Sequence, residues 1–362
     1  SWPLIYRQIR LAVFAVIAYA SSVVDVALIL GPTNPAPLAV RLVGWMNDPD
    51  LTMRFQASAG AILQLMITIS ALVIWVCGEK VGARLFASRV ISGHRLGKDK
   101  FARNASGVGM VFIAALVLFG LVILALWSVA GYWSFPDALP KGFTLRTWER
   151  QLDAVGNPFS ITLMLGIAST LIAVCIALAC LEREARTGKT GGSRALGLLY
   201  LPLIVPQPAF VFGLQLFFLS IGLNATFFAL ILVHLVFVLP YVLLSLSAPW
   251  RAFDNRYAHA AASMGVGKNR IFWQIRAPML LRSILVAAAI GFAVSIGQHL
   301  PTILIGAGRW PTLTIEAVAL ASGGDRRVIG VYAFLQMILP FIGFAIAALI
   351  PAVLFMNRRA MR

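Results

Sequence analysis

The chain has 362 residues, of which 60% are hydrophobic and 12% charged, with a formal net charge of +17. A soluble domain carries about a quarter charged residues, so this balance excludes an ordinary soluble fold and fits an all-α polytopic membrane protein. On a soluble chain such an excess of Lys and Arg would point to nucleic acid; here the basic residues fall between apolar runs, which points to membrane orientation and to no nucleic-acid partner.

Eight runs of mainly apolar residues are long enough to cross a hydrocarbon core as helices: Leu11–Leu30, Ala57–Cys77, Gly107–Trp127, Ile161–Cys180, Leu196–Leu219, Thr226–Leu246, Ser283–Ile305 and Ile329–Met356. Helices are required because hydrocarbon offers nothing to satisfy open backbone groups. Residues 1–10 hold Trp2-Pro3 and two arginines and lack the order of a signal peptide, so the chain reads as starting inside a longer protein. Cys77, Cys175 and Cys180 sit in or at the ends of these runs without metal-ligand spacing, and we read them as packing residues.

In chain order, Asp25 is the first ionisable residue at membrane depth, followed by the amide Gln64. Residues 79–106 form a basic linker. The connection 128–160 carries Trp133, Phe135 and Trp148, which fit an interfacial belt first and a docking surface second. Glu182-Arg183-Glu184 reads as a solvated, charged helix end. Thr187-Gly188-Lys189-Thr190 mimics the end of a phosphate-binding loop, but Arg183 stands where that loop needs glycine and no strand precedes it, so no nucleotide site is expected here. Leu201 to Pro206 places Pro202 and Pro206 inside a span, where freed carbonyls need neighbouring partners. Gln207, Gln215, His234, Gln298, His299 and Gln336 also fall at or near membrane depth. Helix-to-helix hydrogen bonding is the first reading of these polar residues; Asp25, Gln207, Gln215, His234, Gln298 and His299 are kept as a possible translocation path. Nothing assembles into a nucleophile, base or metal-ligand set, so no catalytic role and no metal are expected.

Arg256 to Ile284 is the longest basic segment between two apolar runs. Asp254 is placed to start a short helix as a cap or first-turn acid. Ala258 to Met264 favours a helix of small residues, Gly265-Val266-Gly267 interrupts it, and Lys268 to Arg276 restarts it with Ile271, Phe272 and Ile275 apolar. Pro278 opens a new element. Small side chains at 260–263 leave a bare knob that another protein's groove can receive. This pattern resembles the cytoplasmic loop of type I ABC importer permeases, where E-A-A, a Gly and I-x-L-P recur at fixed spacing. Here His259-Ala260-Ala261 precedes Gly265, and Ile275-Arg276-Ala277-Pro278 follows; His259 replaces the usual glutamate and Ala277 the usual leucine. The resemblance implies an ATPase-coupling loop over 249–282 involving His259, Ala260, Ala261, Ala262, Ser263, Gly265, Lys268, Ile275 and Pro278. With that loop in the cytoplasm, connections on its side hold 22 Lys and Arg and the opposite side 8, which places both chain ends in the cytoplasm.

Shifting residues 1–50 by 275 positions superposes Pro3 on Pro278, Arg7 on Arg282 and Gly31 on Gly306, then Leu38 on Leu313 and Asp50 on Asp325. Apolar matches come free in a membrane protein; the proline, arginine, glycine and aspartate matches do not. Residues 1–78 therefore read as the last two spans of a first permease half, 79–106 as a cytoplasmic linker and 107–362 as a complete second half of six spans. The chain is similar to fused double permeases of the thiamine and iron(III) kind, N-terminally truncated. The family then implies the channel-forming subunit of an ATP-driven solute importer in a bacterial cytoplasmic membrane. Its expected partners are two cytoplasmic ATP-binding subunits, which carry the ATP and magnesium, and a periplasmic solute-binding protein. No cofactor is expected on this chain. An ion-gradient-driven secondary transporter is the alternative; it needs intramembrane carboxylates, and Asp25 alone qualifies.

Overall fold

A computed structural model describes residues 2–91, 100–133, 137–189, 191–321 and 323–356. Sixteen α-helices among these residues make up the fold: α1 (Trp2–Ser22), α2 (Asp25–Leu30), α3 (Leu38–Met46), α4 (Met53–Ile91), α5 (Lys100–Val129), α6 (Arg146–Thr187), α7 (Ser193–Ile204), α8 (Gln207–Ser220), α9 (Phe227–Arg251), α10 (Arg256–Ser263), α11 (Lys268–Ile271), α12 (Ala277–Met279), α13 (Leu281–Ile296), α14 (Leu300–Gly306), α15 (Leu313–Ala321) and α16 (Arg326–Leu354). A π turn, Phe272–Arg276, joins α11 to α12. Among the described residues there is no strand, only an isolated bridge between Ala130 and Phe143.

Among the described residues five helices are long and apolar enough to cross a membrane, or up to seven if each of two bent pairs, Arg194–Ile204 with Gln207–Ser220 and Lys268–Met279 with Leu281–Ile296, is one span. Three of the expected spans are therefore not straight rods. Leu11–Leu30 stops at Ser22 and restarts at Asp25. The hydroxyls of Ser21 and Ser22 both donate to the Ala18 carbonyl, competing with the helical ladder just before the break. Leu196–Leu219 turns by 107° around Pro206, which cannot donate a ladder hydrogen bond. Ser283–Ile305 breaks at Gly297 to His299. The expected linker 79–106 is helical at both ends, since α4 runs to Ile91 and α5 begins at Lys100; positions 92–99 between them lie outside the described residues, as do Phe135 and Thr190.

The breaks recur at the sequence offset. Asp25, which opens α2, corresponds to Leu300, which opens α14; Leu38 of α3 corresponds to Leu313 of α15. Asp50 Oδ1 accepts the Thr52 N–H at 2.9 Å, and Asp325 Oδ1 accepts the Arg327 N–H at 3.0 Å. Each carboxyl is held below its usual range, Asp50 by the Thr52 backbone and Asp325 first by the Arg327 guanidinium. The same local device thus precedes both long helices α4 and α16.

The chain divides into two units, residues 1–151, 204–210 and 320–334 in the first and 152–203, 211–319 and 335–362 in the second. In the first, α1 and α3 pack on α4. A Cβ at Gly60 would lie 2.6 Å from Leu42 Cδ2, so glycine there gives the Leu42 side chain of α3 its room against α4. Apolar side chains of α5 such as Val108, Phe112 and Phe119 are exposed, as a bilayer permits. In the second unit α9 and α13 form the central pair. Gly291 lets them meet, since a Cβ there would lie 2.7 Å from Val242 Cγ2. Ala173, Ala177 and Leu181 of α6 complete the core against Val238, Val242, Leu246 and Trp250 of α9.

Candidate functional site

The loop expected to couple to an ATPase is a helical hairpin. The Asp254 carboxylate accepts the Arg256 N–H at 2.9 Å and so starts α10. At the other end, the Gly265 N–H donates to Ala262 O at 3.0 Å and the Val266 N–H to Ala261 O at 3.1 Å. These two bonds, with Gly265 at φ +80°, are those of a Schellman turn. Val266 packs with buried Ala258, Ala261 and Ile271, beside Phe253 and Ile275, so the hairpin has a small core of its own.

That core corrects one expectation. Ala261, read as part of the exposed knob, is 3% exposed and faces Ile271, because 258 and 261 share the inner helical face. His259, Ala260, Ala262, Ser263, Gly265 and Lys268 are exposed, while Ile275 and Pro278 are half-buried. Sequence reasoning missed the apolar part of the outer surface: Tyr257, Met264 and Trp273 are 54%, 77% and 70% exposed. Large apolar groups grouped on one exposed hairpin mark a contact surface, and Arg256, His259, Lys268 and Arg270 make its polar part basic.

A second correction concerns Glu182, expected to be solvated. It is buried, and its Oε2 accepts from Arg276 Nη1 at 2.6 Å while its Oε1 accepts from Arg186 Nε at 2.7 Å. Glu184 pairs with Arg251 at 3.1 Å. Nothing in the local sequence connects positions 182 and 276; only the Glu182–Arg186 spacing of four hinted at a partner.

The residues held as a possible path divide between the units. Asp25 and Gln207 belong to the first, each half-buried at the first turn of its helix, α2 and α8. Gln215, His234, Gln298 and His299 belong to the second. There His234 is 2% exposed, and its Nδ1 and Nε2 lie 2.8 Å from Ser295 Oγ and 2.9 Å from Thr302 Oγ1. Ser295 Oγ is 3.0 Å from Ser169 Oγ, and the Thr302 hydroxyl donates to the Gln298 carbonyl. One imidazole thus ties α9 to α13 and α14, and through Ser295 to α6. Gln215 Nε2 donates to the Leu304 carbonyl at 3.1 Å. The Thr314 hydroxyl donates to the Ile296 carbonyl freed by the break, and Thr162 accepts the Leu313 N–H that opens α15. These polar groups satisfy buried backbone groups of short, broken helices. Gln298 and His299 are each 6% exposed. Gln298 Oε1 is a buried acceptor without a hydrogen-bond partner among the described residues.

Comparison with known proteins follows the same lines. Residues 184–360 match the family described as binding-protein-dependent transport system inner membrane component. The chain is 31% identical over 348 residues to the inner membrane ABC transporter permease protein YnjC of Escherichia coli K12, a match covering 96% of this chain and 62% of that protein. It is 23% identical over 205 residues to the spermidine/putrescine transport system permease protein PotC of Haemophilus influenzae, covering 55% of this chain and 78% of that one. A chain from the crystal structure of a bacterial ABC transporter involved in import of the acidic polysaccharide alginate superposes with a TM-score of 0.51 at 10% identity, over 70% of this chain and 98% of that one. That last likeness is one of fold.

Proposed function

We propose that this chain, whose residues 184–360 match the binding-protein-dependent transport system inner membrane components and which is homologous to ABC transporter permeases, is the solute-passing membrane subunit of an ATP-driven importer. The observation that carries the proposal is the α10–α11 hairpin. It is braced from within by its own core and Schellman turn, and it turns Tyr257, Met264 and Trp273 outward. In this reading the hairpin is the cytoplasmic face on which an ATP-binding subunit docks. ATP and magnesium reside on that subunit, an external binding protein delivers the solute, and both chain ends lie in the cytoplasm. The shared offset of element starts supports two related halves, with 1–78 ending the first, 79–106 crossing the cytoplasmic side and 107–362 forming the second. His259, where the family has glutamate, makes the hairpin's contact with the ATPase rest on apolar and basic groups. The path reading is retained for Asp25 and Gln207, which are half-buried at helix starts; the bonds of His234 to the Ser295 and Thr302 hydroxyls and of Gln215 to the Leu304 carbonyl speak for positioning.

Affinity purification of the tagged full chain from its own host tests the proposal. An ATP-binding subunit should copurify, and Trp273→Ala with Met264→Ala should release it while the membrane subunit stays folded. Purification without any ATP-binding partner would favour a gradient-driven carrier.

A further inference from the structure

The hairpin is joined covalently to α9 and to α13 but reaches α6 only through side chains. Its own core, Ala258, Ala261 and Ile271 with Phe253, Val266 and Ile275 packed against them, braces the hairpin internally and contains no residue of α6. Phe253 and Phe272 pack on the apolar cluster that includes Ala177 and Leu181 of α6, and a polar link stands beside them. Arg276 and Glu182 have side chains 8% and 11% exposed and meet at 2.6 Å. Arg276 Nη2 also donates to Asn255 Oδ1 at 3.2 Å, next to the first residue of α10. The guanidinium carbon lies 5.2 Å from the Phe253 ring centroid and 6.0 Å from that of Trp250. Glu182 divides its two oxygens between Arg276 and Arg186. A continuous polar chain, Arg186–Glu182–Arg276–Asn255, therefore runs from the end of α6 through the π turn to the start of α10.

The π turn explains how Arg276 reaches inward. Ile271 and Arg276 are both buried. Five residues apart, an α-helix would turn them to well-separated faces; the wider π turn brings them to adjacent ones. Charge-assisted hydrogen bonds fix direction as well as distance, whereas apolar contact permits sliding. Building on the importer reading above, we propose that Arg276 and Glu182 are positioning residues that lock the coupling hairpin to the end of α6, so that displacement of the hairpin by a nucleotide-driven partner is delivered to α6 as well as to α13.

The test uses the full chain in complex with its copurified ATP-binding subunit in lipid nanodiscs. Cys77 and Cys175 are replaced by serine, and the remaining exposed Cys180, two residues before Glu182 on α6, carries a nitroxide. The readout is the change in label mobility between the ATP–vanadate and nucleotide-free states, per assembled complex. Arg276→Gln and Glu182→Gln should each shrink that change roughly 3-fold or more, the scale of single-residue effects on coupling. ATP hydrolysis should persist, and Glu182→Arg combined with Arg276→Glu should recover the response. Arg276→Lys, which keeps the charge and loses the fork to Asn255, should fall between and serves if either neutral variant assembles poorly. A purely structural pair would lower yield and leave the response of each assembled complex intact. An unchanged response in Arg276→Gln or Arg276→Lys overturns the proposal, as does loss in both single variants without recovery in the exchanged pair. A parent chain that captures no ATP-binding subunit overturns the importer reading instead, so the two failures are distinguishable.

Discussion

At position 265 a left-handed backbone, φ +80°, meets open space, with no atom within 4 Å of the place a Cβ would occupy. The requirement for glycine is thus conformational and not steric. Gly265→Ala should cost the hairpin about 1 kcal/mol, the penalty of an L-residue in that region. Gly265→Asp should cost less, because a short polar side chain tolerates it, and should place a carboxylate on the outer face. We expect both variants to reach the membrane. Faster amide exchange confined to 256–276 should follow in the alanine variant, and the aspartate variant should hydrolyse ATP without solute uptake. Normal uptake by the aspartate variant would remove the hairpin from the coupling step. The glycine and the helix-turn-helix were legible in the sequence because a Schellman turn is written in local residues. The burial of Glu182 was not, since its partner stands 94 residues away and a charged triplet at a helix end ordinarily faces water.

Element boundaries tell a similar story at a larger scale. Sequence hydropathy finds apolar runs and says little about whether a run is one helix or two, because the residues flanking a break are as apolar as the rest. The α13–α14 break is held by side chains from elsewhere: Thr314 on the Ile296 carbonyl, Gln215 on the Leu304 carbonyl and His234 between Ser295 and Thr302. His234→Ala should remove two hydrogen bonds worth about 0.6 kcal/mol each and add a cavity term, for a total of roughly 2 kcal/mol. Thermal unfolding in detergent should show the loss, and activity per folded molecule should stay near the parent level. A changed solute preference in this variant would restore His234 to the path. Packing of α13 on α9 gives a sharper case. Gly291→Ala would press Val242 and Val238, with contacts at 2.7 and 3.1 Å before relaxation. A cost of about 1–3 kcal/mol is expected for such overpacking, while Gly197→Ala, inside α7 with nothing within 4 Å, should hold or slightly raise the melting temperature.

On the scale of the whole molecule, two regularities bear on how the chain is built and how it is oriented. One is the 275-residue offset, which the sequence shows as scattered identities and the structure shows as matching helix starts at Asp25 and Leu300 and at Leu38 and Leu313. Polar and glycine positions carried that signal, because they mark breaks and turns, while the apolar residues between them are interchangeable. The other is the asymmetry of 22 against 8 Lys and Arg on the two sets of connections. Positive charge resists translocation, so the richer set should face the cytoplasm. If so, the exposed positions Met264 on the hairpin and Arg309 after α14 lie on opposite sides of the membrane. In a chain with its three cysteines replaced by serine, Arg309→Cys should react with a membrane-impermeant maleimide in intact spheroplasts, and Met264→Cys should react only after permeabilisation. Labelling of position 264 from outside would invert the orientation and leave the hairpin beyond reach of any ATP-driven partner.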